Sequence, residues 1–367
     1  MNFNFAKAPH FFVPMVFLGY AVVANYEFVQ DITNDPSALP KAVTDYLDGD
    51  AALAIDTYYK SVMPHRLASI DLMGALRFVT FREGRSGVVV GEDGWLFSSE
   101  EFRATGDRSA EVTRAADSIA AVREQLAAQD IELVVVPLPA KADIYREHLA
   151  DPVLPDELEA LYGNFRKALG DRGIATVDTR PSLIEAKAAG GVFLQTDTHW
   201  TPLGAEAAAG AVAGEIGTSF STTEYRLAEG QPVPRQGDLS KFIVTGGLSQ
   251  PLGLGPETIV PRQAEPVGEA GLDDLFGTAT IPVALVGTSY SANEQWSFIE
   301  NLKAKLGTDI VNVAEEGLGP VAPMQKYLAS ATLKDAPPKL VIWEFPVRYL
   351  ENPKLWDAPA APAAQAE

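Results

Sequence analysis

Asp197 and His199 stand two residues apart in the stretch QTDTHWTPLG (195–204), and Ser289 ends the apolar run PVALVGTS (282–289). These three residue types can make a proton relay. An aspartate holds a histidine Nδ1–H and fixes the tautomer, and the free Nε2 then takes a proton from a serine hydroxyl. In extended backbone, residues i and i+2 face the same side, so Asp-x-His presents carboxylate and imidazole together. Two other uses of the same residues stand beside this one. Asp197 and His199 can form a plain polar turn, with Ser289 a helix N-cap. They can also bind a metal, which requires a third ligand; the chain has no cysteine, leaving carboxylates such as Asp238 in RQGDLSKF. No metal is expected. Of the four histidines, His10 lies in an apolar N-terminal run, while His65 and His148 suit helix surfaces, so a histidine base points to His199.

Further residues flank these motifs. Gly287 opens the Gly-Thr-Ser turn, whose free N–H groups and following helix N-terminus would face developing negative charge. Gly319 in EEGLGP (315–320) is a candidate second oxyanion donor or a plain turn residue. Tyr290 and Trp296 offer sugar-stacking faces or core packing. Arg348 in VIWEFPVRYL is a substrate-binding cation or the partner of Glu344. Lys141 in VPLPAKADIYREHL is a pocket cation or an ordinary helix-start residue.

The elements that must position these residues are legible as periodicities. Five continuous apolar, β-branched runs, at 131–139, 174–179, 282–289, 309–314 and 339–345, have the character of parallel strands covered on both faces. Between them, 108–129, 155–171, 202–216 and 291–306 carry helical spacing, and Thr201-Pro202 is an N-cap followed by proline at the first helical position. Alternating strands and helices predict an α/β fold, a three-layer α/β/α sandwich with a mostly parallel five-stranded sheet and ligands beyond the strands' carboxyl ends. Residues 31–85 read as a helical preface, 86–97 as a hairpin, 86–352 as the main domain with a weakly patterned insertion at about 220–280, and 353–367 as a flexible tail.

The formal charge of −20 argues against a nucleic-acid partner. A polyanionic substrate would need a local basic patch. Lys7 followed by the apolar run Phe11–Ala24 reads as a signal peptide or N-terminal membrane anchor within residues 1–30, with a buried N-terminal helix as the alternative. Export is therefore expected.

Seven segments, GEDGWLF, VPLPAKADIYREHL, TDTHWTPLGAEAAA, QGDLSKF, VGTSYSANEQWSF, AEEGLGP and VIWEFPVRYL, resemble in this order the alginate O-acetyltransferase family of AlgJ/AlgX type, within the SGNH hydrolase-like superfamily. The resemblance spans about residues 86 to 350. It implies that Ser289 is a nucleophile and that Asp197 and His199 complete its triad, in a permuted chain order. It also implies a polysaccharide substrate, no cofactor, and an acetyl donor handed over by a membrane O-acyltransferase partner. The short sequence after VIWEFPVRYL resembles the AlgJ type, which lacks the carbohydrate-binding module of the AlgX type, and this implies a periplasmic location, with or without attachment to the inner membrane by the N-terminal segment. A carbohydrate acetylesterase and a non-catalytic polysaccharide-binding scaffold remain alternatives.

Overall fold

The β-branched runs become strands, and their alternate residues supply the two halves of the core. The computed structural model describes residues 8–34, 47, 49–62, 66–149, 151, 154–217, 219–267 and 281–356. Its strands in chain order are β1 (Val88–Val90), β2 (Leu96–Ser98), β3 (Glu132–Leu138), β4 (Ala175–Thr176), β5 (Tyr225–Glu229), β6 (Val233–Arg235), β7 (Glu257–Ile259), β8 (Arg262–Pro266), β9 (Val283–Val286), β10 (Ile310–Asn312) and β11 (Leu340–Pro346). Five of them form one sheet in the order β10-β9-β11-β3-β4, with every neighbouring pair parallel. These are the five runs expected from sequence.

Side chains alternate across this sheet as the period of two requires. Val134, Val136, Leu285, Leu340 and Ile342 join one core with Ala205, Ala208 and Val212 of the helix Pro202–Ile216 and Leu302 of the helix Phe298–Leu306. Leu133, Val135, Ala284, Val286, Val341 and Phe345 face the other way, onto Ile119 of the helix Ser109–Ala127, Phe165 of the helix Leu154–Gly170 and Met324 of the helix Val321–Ala329. The result is a three-layer α/β/α sandwich. Each fully buried Leu, Ile or Phe side chain contributes about 1.5–3 kcal/mol through burial, so the sheet is held from both faces.

Several boundaries depart from the sequence reading. The run 174–179 forms only two paired residues, because Thr179 turns away: its N–H donates to the Tyr162 hydroxyl and its hydroxyl to the Pro137 carbonyl. The single helix expected over 291–306 is broken into Ser289–Ala292, a 3₁₀ turn Glu294–Trp296, and Phe298–Leu306, with Ser297 at φ 60° between the last two. The insertion is more regular than its composition suggested, since β5 pairs with β8 and β6 with β7, both antiparallel; its residues 268–280 lie outside the described residues. The first residues of the expected tail are ordered. Pro353–Leu355 form a 3₁₀ turn, and Trp356 is buried against Trp343 and Phe345. The remaining tail residues, 357–367, lie outside the described residues.

The chain divides into two compact units, Met1–Arg77 with Val244–Leu248, and Phe78–Ile243 with Ser249–Glu367. In the first, the helices Ala8–Asn34 and Asp50–Val62 accompany most of the helix Arg66–Phe81, and the Asp71 carboxylate accepts the N–H and hydroxyl of Thr245. Among the described residues no helix is long and apolar enough to cross a membrane. The second unit holds the sandwich and, in β1 and β2, the expected hairpin.

Because Trp356 closes the core beneath β11, Trp356→Ala should lower stability by about 3–5 kcal/mol, as for other buried aromatic truncations. Urea unfolding measures this. A loss below about 1 kcal/mol would return this residue to the tail.

Candidate active site

Ser289 follows β9 directly, at the carboxyl end of the sheet, and begins the short helix Ser289–Ala292. Thr288 caps that helix and Gly287 precedes it. A Cβ on Gly287 would lie 2.6 Å from Glu344 Oε2, so the glycine is required by the close approach of a buried carboxylate. Glu344, on β11, accepts the Thr288 N–H at 3.1 Å, the Thr288 hydroxyl at 3.1 Å and the Ser291 hydroxyl at 2.7 Å. The serine turn is thus tied to the neighbouring strand on both sides of Ser289.

Asp197 and His199 reach the serine from a different segment. They sit in a turn rather than the extended backbone expected, and the turn explains their pairing. Asp197 Oδ1 accepts both the His199 backbone N–H at 2.9 Å and Nδ1 at 2.6 Å. Its other oxygen accepts the Asp238 N–H at 3.0 Å. With Nδ1 donating to a carboxylate, Nε2 is the acceptor, and it lies 2.7 Å from Ser289 Oγ. Asp197 is fully buried. Burial works to raise its pKa, but the hydrogen bonds and charge of His199, with the Asp238 N–H, outweigh it and hold the carboxyl at about 2. Directly after the pair, Thr201 caps the helix Pro202–Ile216 by accepting the Gly204 N–H, as its sequence predicts.

The neighbours of this relay are tightly constrained. Lys141 is buried, and its Nζ donates to the carbonyls of Leu96 at 2.6 Å, Gln195 at 3.0 Å and Asp197 at 2.9 Å. Burial pulls its pKa down to about 8 against the attraction of Glu101, Glu257, Asp197 and Asp238. It does start a helix, Lys141–Ile144, but from a buried position where its ammonium faces backbone carbonyls rather than a pocket, and it ties β2 to the Asp197 turn. Asp238 grips the intervening Thr198, accepting its N–H at 2.8 Å and its hydroxyl at 2.7 Å. Asp197, His199 and Asp238 do lie within 4.8 Å of one another, the cluster a metal would need. Their ligand atoms are occupied by these hydrogen bonds and by Ser289.

Other sequence candidates take different positions. Tyr290 is 2% exposed and donates its hydroxyl to the Thr198 carbonyl, so it offers no face to a sugar. Trp296 is fully buried, stacked on His199 with centroids 5.2 Å apart, and its indole N–H donates to the Ser289 carbonyl. This contact requires the break in the helix after Ser289. Arg348 is buried as well; it donates to the Tyr290 hydroxyl and faces Glu100 at 3.2 Å, not Glu344 as the sequence suggested. Gly319 lies in a left-handed turn, φ 67°, beside Tyr349 and Leu355, and no described contact brings it to Ser289. His148 stacks on Trp95. Sequence reasoning missed Thr198, Thr288 and Arg235. The signals for the first two lay inside the D-T-H and G-T-S motifs themselves.

Aspartate, histidine and serine hydrogen-bonded in series at the end of a parallel sheet make an arrangement suited to serine acyl transfer. The family model for the SGNH hydrolase-like domain of acetyltransferase AlgX matches residues 88–347, and the chain belongs to this family. It is 44% identical to the probable alginate O-acetylase AlgJ of Azotobacter vinelandii over 314 residues, covering 84% of this chain and 81% of that protein. The O-acetyltransferase domain of Pseudomonas putida AlgJ superposes with a TM-score of 0.63 at 38% identity, covering 72% of this chain and 93% of that one. Pseudomonas aeruginosa AlgX gives 0.60 at 28% identity, covering 73% and 65%.

Glu344 makes the serine turn sensitive to pH. Burial raises its pKa from 4.5 to about 6, against the opposing effect of its hydrogen bonds and Arg348. A carboxyl whose pKa is raised on folding stabilises the fold most below its unfolded value, and that contribution is lost as pH rises through the folded value. From below 4.5 to above 6, the stability of Glu344→Gln relative to wild type should therefore increase by about 2 kcal/mol. Parallel stability curves for the two proteins, from urea titrations across that window, would contradict this account.

Proposed function

We propose that the protein is an O-acetyltransferase that moves an acetyl group onto hydroxyls of alginate or a closely similar polyuronate through an acetyl-Ser289 intermediate. The observation that carries this reading is the unbroken relay from Asp197 through His199 to Ser289 Oγ, in a chain 44% identical to a named alginate O-acetylase. His199 Nε2 removes the Ser289 proton as Oγ attacks the carbonyl carbon of the acetyl donor. The donor C–O bond breaks, and the leaving oxygen takes the proton back from His199. In the second half, a sugar hydroxyl gives its proton to His199, attacks the acetyl carbon and releases Ser289, which is reprotonated. Asp197 holds the ring and balances the imidazolium charge.

Ser289 is the first residue of its helix, where backbone N–H groups have no intrahelical partner. Its N–H is the proposed oxyanion donor, an interaction of about 3 kcal/mol in such sites. The proposal assigns the donor acetyl group to a membrane O-acyltransferase partner and the reaction to the periplasm. The apolar residues Phe12, Phe17, Leu18, Val22 and Val23, exposed on the N-terminal helix, support export or attachment at a membrane.

Ser289→Ala and His199→Ala should each lower acetyl transfer to mannuronate oligomers by about 10⁴-fold or more, and Asp197→Asn should have a comparable effect through loss of the tautomer. Mass spectrometry of the oligomers after incubation with an activated acetyl ester measures it. Near-normal transfer by folded Ser289→Ala would remove the serine from the mechanism. Ester hydrolysis unaffected by oligomer, with no acetylated sugar, would make the protein an esterase instead.

A further inference from the structure

A substrate with a carboxylate on every sugar needs a cation beside the reacting serine, and the chain's charge of −20 supplies none in general. Arg235 lies against Trp296, whose indole N–H donates to the Ser289 carbonyl. It ends β6, in the insertion whose role the sequence did not reveal. Its guanidinium lies over the ring of Trp296, with Cζ 5.0 Å from the centroid, and the same indole stacks on His199. The Nε lies 3.7 Å from Asp197 Oδ2, beyond hydrogen-bond reach, and this buried N–H has no hydrogen-bond partner. The side chain as a whole is 29% exposed. Part of the fork therefore faces solvent beside the catalytic histidine.

Asp197 does not account for Arg235, because three other N–H groups already bond to its oxygens. The backbone around Arg235 is held on both sides. Arg235 pairs with Glu257 across β6 and β7, and the Glu257 carboxylate accepts the N–H groups of Gln195 and Thr196. Two residues later, Gly237 approaches so closely that a Cβ there would lie 2.2 Å from the Thr196 carbonyl oxygen, and Asp238 bonds to Asp197 and Thr198. The cation is bolted to the same turn that carries the histidine. An arginine held against an aromatic ring loses little freedom on binding, and its planar N–H edge matches a carboxylate.

We propose that Arg235 is the specificity residue for the acceptor: its outward guanidinium edge binds the carboxylate of a uronate residue and so brings a neighbouring hydroxyl towards acetyl-Ser289. This rests on the transferase reading for the identity of the bound sugar, and its test does not depend on turnover. Binding of a mannuronate hexamer, and of its carboxyl-reduced neutral counterpart, is measured by calorimetry on Ser289→Ala with and without Arg235→Gln. With Arg235 present, the charged hexamer should bind at least about tenfold more tightly than the neutral one, the scale of a charge-assisted hydrogen bond. Arg235→Gln should abolish that preference while changing neutral binding by less than about twofold. Arg235→Lys, which keeps the charge and loses the fork, should fall between. Equal loss for both hexamers would show that Arg235 only supports the fold or Asp197, and no preference for the charged hexamer with Arg235 present would equally overturn the proposal. Carboxylate-selective binding in a wild-type protein that transfers no acetyl group would count against the transferase reading and leave this one standing.

Discussion

The structure around Ser289 depends on one buried carboxylate. Asp197 is removed from water, which by itself favours the neutral acid, yet three N–H donors bond to its oxygens and keep it ionised. Two of the three come from His199. The carboxylate therefore sets the backbone turn and the ring orientation at once, and leaves Nε2 directed at the serine. A hydrogen bond to a charged group is worth about 1.5–3 kcal/mol, enough to hold an imidazole in one orientation against its own rotational freedom.

Around this carboxylate, separate segments are locked to one another through charged side chains, buried at Lys141 and Glu344 and half-buried at Glu257 and Asp238. Lys141 spends its ammonium on three carbonyls, one of them that of Asp197, and joins β2 to the histidine turn. Glu344 does the corresponding service for the serine turn, from the strand beside it. Glu257 and Asp238 fix the insertion to the same turn. Taking a charge out of water is costly, and each of these groups loses its compensation if a partner is removed. Such a frame is stiff, and stiffness is what a proton relay of 2.6 and 2.7 Å contacts requires.

The sheet was legible in the sequence because strands buried on both faces need unbroken apolar, β-branched runs, and these runs are rare enough to stand out. Asp197, His199 and Ser289 were legible because their chemistry is carried by residue type and by position next to a strand end. What escaped was everything set by long-range approach. Nothing local marks Glu344 as the carboxylate beneath Gly287, because the two are separated by more than fifty residues and meet only through adjacent strands. Aromatic residues beside the serine could be read as sugar platforms or as core, and tertiary packing decided for core at Tyr290 and Trp296. The insertion lacked a hydrophobic period because its strands form small two-stranded sheets whose residues, Ile259 apart, are half-buried or exposed; Arg235 was hidden with it.

The central claim is that the Asp197–His199 pair makes Ser289 a nucleophile towards an acetyl carbonyl. Its most direct measurement is intact-protein and peptide mass spectrometry after brief exposure to 4-nitrophenyl acetate without any acceptor. The account predicts a single acetyl group on the peptide containing Ser289, absent from His199→Ala and discharged when mannuronate oligomers are added. An acetyl group at another residue, or equal labelling of Ser289 in the wild type and in His199→Ala, would contradict it.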